Sequence, residues 1–124
     1  MGKKTEINTL ERQRSKLLQA IASIYPMIPG SYNEVNRKCG KPNCWCNSST
    51  HGHPSKRITW KECGVSYAKV IGDNDVEWVV EATGNYRKFR SMIVSLEQLE
   101  VRLHELLQVH AAEIIAKTRK EKKL

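Results

Sequence analysis

Three thiols fall within eight residues, Cys39-Gly40-Lys41-Pro42-Asn43-Cys44-Trp45-Cys46, and two imidazoles follow at His51 and His53. Thiolate sulfur and imidazole nitrogen are the donors that zinc takes in closed four-coordinate sites. Cys39, Cys44 and Cys46 with one histidine would complete such a site, and spacing alone fits His51 and His53 equally. The pattern differs from the usual pair of C-x2-C knuckles. A disulfide is the weaker reading because the first residues, Met1-Gly2-Lys3-Lys4-Thr5-Glu6, lack the apolar core of a secretion signal and cytosolic thiols stay reduced. An iron-sulfur cluster and plain reduced cysteines are further alternatives. Cys63 stands apart in a turn and is not counted as a ligand.

The elements that must hold this cluster follow from pattern. The segment 39–54 has a turn former at almost every second place and little apolar content, so ion binding would have to supply the folding free energy that burial cannot. Before it, Leu10, Leu17, Ile21 and Ile24 recur at helical spacing, Asn8 and Glu11 form a capping box, and Pro26 ends the run, which predicts a helix over 9–25. Tyr32 and Val35 give a weak strand over 31–38. Arg57–Trp60 and Val65–Ile71 are rich in β-branched and aromatic residues around Glu62-Cys63-Gly64, which predicts a hairpin. Asn74 and Glu77 then open a long helix over 75–118, with a kink or break expected at Gly84 and a frayed basic tail over 119–124.

The expected fold is therefore α+β in one domain, 1–118. An antiparallel helix pair with a long coiled-coil-like second helix carries an inserted zinc loop and a small β-hairpin or three-stranded sheet over 31–72. The second helix is much longer than the first, which leaves Leu99, Leu103, Leu106, Leu107 and Ile114 as an expected oligomer interface, for a homodimer or a partner-protein helix.

The chain of 124 residues carries a net charge of +8, and the surplus is uneven: +5 lies in 31–61 and +4 in 117–124, against −4 in 62–116. Arg37, Lys38, Lys41, Lys56, Arg57 and Lys61 surround the cysteine loop, with Trp45 and Trp60 available for stacking. Arg37, Lys38, Lys41, Trp45, Lys56, Arg57 and Lys61 form the expected nucleic-acid footprint, with DNA the first choice of partner. Trp60 and Trp78 are expected in the core. No cleft nucleophile, phosphate-cradling glycine loop or open metal position is visible, so no catalytic residue and no small-molecule substrate are expected. The absence of an apolar span predicts a cytoplasmic protein without membrane contact.

The cysteine block, followed by His51-Gly52, a hairpin, and Asn85-Tyr86-Arg87 in a long helix, resembles an uncharacterised family of small bacterial and archaeal proteins with a CGKPNCxC…HG signature. The similarity covers about residues 28–110. It implies Cys39, Cys44, Cys46 and His51 as the metal site, and it brings no activity. Family members are often met among mobile-element genes, which favours nucleic acid. Here Gly52 leads to His53-Pro54-Ser55, where the family has Pro and an aromatic, so the edge entering the hairpin is altered. Two expectations result: a zinc-stabilised nucleic-acid-binding accessory protein, or a protein-interaction adaptor working through the long helix around a purely structural zinc.

Overall fold

The computed structural model describes residues 2–38, 40–48 and 52–124. Helix α1 (Lys3–Ala22) is followed by three strands, β1 (Ser31–Arg37), β2 (His53–Glu62) and β3 (Val65–Val70), and by helix α2 (Val76–Lys122). The architecture is α+β, as the sequence indicates. Two compact units divide it: residues 25–88 form one, and 1–24 with 89–124 form the other, so α2 contributes to both.

In the unit 25–88 the strands lie in the order β1-β2-β3, antiparallel throughout. Arg37 pairs with His53 at one end of the β1–β2 ladder, and Ser31 with Thr59 at the other. The weakly signalled β1 is a full strand because β2 starts at His53, four residues before its expected start, and supplies a partner along its whole length. The β2–β3 turn is Cys63-Gly64, with φ of 50° and 80°, the left-handed pair that a two-residue hairpin loop needs. Ile58 of β2 is buried with Val79, Ala82 and Thr83 of α2. The chain leaving α1 is tied to the same helix: Ile28 N donates to Ala82 O (3.2 Å) and Asn85 Nδ2 to Pro26 O (2.9 Å). Asn85→Ala should therefore cost about 1–2 kcal/mol by leaving a half-buried carbonyl unpaired, a loss that urea unfolding would read.

In the other unit Ile7, Leu10, Leu17 and Ile21 of α1, and Ile24 just after it, are half-buried at three-, four- or seven-residue spacing, as are Leu96, Leu99 and Leu103 of α2, with Leu106 buried. The helices run antiparallel, since Lys3 pairs with Glu113, Glu6 with Arg102 (2.9 Å) and Arg14 with Glu100 (3.7 Å).

Several boundaries depart from the sequence reading. Helix α1 begins at Lys3 rather than 9: the Gly2 carbonyl accepts from Thr5 N, and Glu6 sits in the first turn, so Asn8 lies inside the helix and caps nothing. It ends at Ala22, where Ser23 returns a backbone and a hydroxyl hydrogen bond to Gln19 O. Before α2, Asp73–Asp75 make a short 3-10 turn. Helix α2 runs unbroken through Gly84 and on to Lys122, so the basic segment is helical. Its end is closed by Lys123 at φ 53° and by Leu124 N donating to Arg119 O (3.0 Å), a Schellman-type stop. Helix α1 spans about 30 Å, and of the expected oligomer residues Leu106 is buried, Leu99 and Leu103 are half-buried, and Leu107 and Ile114 are exposed. Among the described residues no helix is long and apolar enough to cross a membrane.

Candidate metal centre and basic sheet face

The loop after β1 is knitted by its own polar groups. Asn47 Nδ2 donates to Lys41 O (2.7 Å) and Pro42 O (2.9 Å), and Cys44 N donates to Lys41 O (3.2 Å). A 3-10 turn over Trp45–Asn47 follows, closed by Ser48 through its amide and its hydroxyl, both to Trp45 O. This turn buries Cys46 completely and leaves Trp45 58% exposed.

The cluster forms where this loop meets the start of β2. Cys44, Cys46 and His53 bring one ligand atom each to within 4.8 Å of one another, and Cys44 Sγ lies 2.8 Å from His53 Nε2. Trp45 packs edge-on against the His53 ring, 4.6 Å between centroids and 66° between planes, which fixes the imidazole's direction. Two sulfurs and one nitrogen at this mutual spacing suit a metal ion: tetrahedral bonds of about 2.0–2.3 Å set neighbouring donors roughly 3.5 Å apart. Both of the cysteines are outside any disulfide. The histidine brought in is thus His53, the second of the two that spacing allowed. Cys39 and His51, the remaining expected ligands, lie outside the described residues. Cys63 is exposed at the hairpin turn and takes no part.

Entry into β2 depends on Gly52. Its φ is +73°, and a Cβ there would meet the Arg37 carbonyl carbon at 2.6 Å and oxygen at 2.7 Å. Backbone cannot yield to such a contact, so Gly52→Ala should destabilise the fold by about 2–4 kcal/mol and weaken metal binding with it, since His53 is the next residue. Thermal unfolding with and without metal would check both effects.

The ladder register sorts the basic residues by face, because successive strand side chains alternate. Arg37, Arg57 and Lys61 share one face with Ser31, Asn33, Ser55, Thr59, Ser66 and Ala68, and with the exposed Val35 and Val70. The outer strands' residues on this face are exposed. His53 lies on it too, at the end where the metal cluster forms. Both acidic residues of the strands, Glu34 and Glu62, fall on the opposite face, with Ile58 and Trp60. Among the described residues Arg37, Arg57 and Lys61 make no salt bridge, and Arg57 Nε is buried without a hydrogen-bond partner.

Lys56 separates from this set. It lies on the Glu34 face and donates to Asp73 Oδ1 (3.0 Å), whose carboxylate holds the ammonium pKa above its ordinary value. Lys38 and Lys41 remain on the exposed loop beside the cluster. Trp60 stacks on Tyr67 at 5.6 Å and lines an apolar pocket of about 350 Å³ with Ile58, Trp78 and Val79. Trp78, expected in the core, is 44% exposed, its indole N–H donating to Asp75 Oδ1 (2.9 Å). The alternation of a strand that starts at His53 was the signal that could have separated Lys56 from Arg57.

No curated protein and no solved structure matches the chain. The family profile of a domain of unknown function, DUF6788, matches residues 7–81, a span that holds most of α1, the whole sheet, the cysteine loop and the first turns of α2. That match covers more than half of the 124 residues, and the chain belongs to the DUF6788 family.

Proposed function

We propose that this chain is a small zinc-stabilised nucleic-acid-binding protein, and that the sheet face carrying Arg37, Arg57 and Lys61 meets the phosphate backbone. The observation that carries this reading is the charge sorting. A face with three unpaired cations and no acid attracts polyanions, while both strand carboxylates are held on the other side. Hydroxyl and amide side chains around the cations suit phosphate and sugar contacts, and exposed Trp45 offers a stacking surface at the metal end. Lys38 and Lys41 extend the same positive edge. DNA is the first partner to test.

Zinc is the ion that two thiolates and an imidazole select among common cytosolic metals, and Cys39 is the fourth ligand we assign from the sequence, with His51 the other choice. With four protein ligands the ion has no open position and stabilises rather than catalyses. When bound, it supplies cross-links between the loop and the β2 start. The residues of the chain do the recognition, and no catalytic role is assigned to any of them.

Fluorescence anisotropy with a short labelled single strand and a short duplex, at several salt concentrations, tests the reading. Binding that weakens steeply with salt supports it. No binding to either probe at about 50 mM salt would refute it.

A further inference from the structure

On a different arc from the Leu99, Leu103 and Leu106 face, α2 presents a second apolar stripe. Leu107, Ala111, Ile114 and Ile115 stand at i, i+4, i+7 and i+8, within about 100° of helix arc, the pattern of a face made to be buried. Yet Leu107 is 46%, Ile114 49% and Ile115 51% exposed, and Ala111 is exposed as well. Helix α1 has no buried residue, and Leu106 is the single buried side chain among the described residues of that unit.

Charge says what covers the stripe. Residues 97–113 carry −3, from Glu97, Glu100, Glu105 and Glu113 against Arg102, whereas 114–124 carry +4. A second copy laid antiparallel sets the acidic stretch of each chain along the basic stretch of the other; a parallel one sets like on like. The register that places Leu107 opposite Ile115 of the second copy places Ala111 opposite itself and Glu100 opposite Lys122. Glu100 and Lys122 both lie on the arc of the stripe, and Glu100 remains about half exposed despite its 3.7 Å approach to Arg14.

We infer that the chain self-associates through an antiparallel, two-fold pairing of α2 about Ala111, with Leu107 and Ile115 as apolar anchors and Glu100–Lys122 ion pairs at its flanks. This inference stands whether or not the sheet face binds nucleic acid.

Sedimentation equilibrium of the full metal-loaded chain tests it, with Leu107→Lys/Ile115→Lys as the variant. Both positions are solvent-exposed in the single chain, so circular dichroism should show unchanged helix content. The wild type should be dimeric at tens of micromolar, and the variant should dimerise at least about a hundredfold more weakly, given the area each anchor buries twice over. A monomeric wild type overturns the inference, as does a variant with unchanged affinity. Orientation is read by carbodiimide cross-linking of a mixture of unlabelled and ¹⁵N-labelled chains. Mixed-isotope peptides joining Glu97 or Glu100 to Lys122 or Lys123 are expected; their absence from a cross-linked dimer contradicts the antiparallel register.

Discussion

Cys46→Ser is expected to abolish stoichiometric zinc binding and to remove more stability than any surface change in the chain. Cys46 is fully buried, and the loop around it owes its order to a few hydrogen bonds centred on Asn47 rather than to apolar packing. Losing one ligand leaves Cys44 and His53 facing each other across 2.8 Å without the ion that would satisfy both. Structural zinc contributes about 10–16 kcal/mol of apparent binding energy in small peptide sites. Even a fraction of that, about 3 kcal/mol or more, would lower the melting temperature by 10 °C or more for a domain of this size. Chelator treatment of the wild type should approach the same result. Metal analysis with thermal unfolding checks both, and Cys63→Ser serves as the control that keeps one ion per chain. A Cys46→Ser protein with full zinc content and an unchanged midpoint would remove the metal centre from the account.

The second large effect concerns recognition. Arg37→Ala/Arg57→Ala/Lys61→Ala should weaken nucleic-acid binding by about a hundredfold at moderate salt and reduce the slope of log affinity against log salt by roughly 2–3, since three phosphate contacts disappear. The substitutions lie on exposed or half-buried positions, so the fold should survive. Lys56→Ala is the discriminating comparison. Its ammonium faces the other side of the sheet and is engaged by Asp73, so its removal should leave the slope nearly unchanged. Equal losses from Lys56 and from Arg57 would mean that charge density alone, rather than this face, governs binding.

Much of this arrangement was legible in the residues themselves. The hairpin was marked by β-branched runs on either side of Cys63-Gly64, and the long second helix by its apolar recurrence, because those signals are local. The cysteine loop announced a cluster of metal-type donors through its residue types, and Cys44 and Cys46 lie together with His53. The choice of histidine was not local: His53 enters the cluster because it opens β2 opposite Arg37, a register that depends on a strand reaching back into what reads as loop. The same register sets Lys56 and Arg57 on opposite faces, so their adjacency in sequence does not make them one footprint. At the N-terminus, a capping box at Asn8 was outweighed by tertiary ion pairs of Lys3 and Glu6 with α2. Leu106 is buried and Leu99 and Leu103 half-buried while Leu107 and Ile114 stay exposed, because the two sets lie on different arcs of α2.

The most direct test of the central claim is a map of backbone amide and indole NMR shifts in the zinc-loaded protein as a short single-stranded DNA is added. The largest changes are expected at Arg37, Asn33, Arg57, Thr59 and Lys61 and at the Trp45 indole, with Glu34, Lys56 and Glu62 little affected. Shifts confined to the basic helix end over 117–123, or no shifts at all, would contradict the claim.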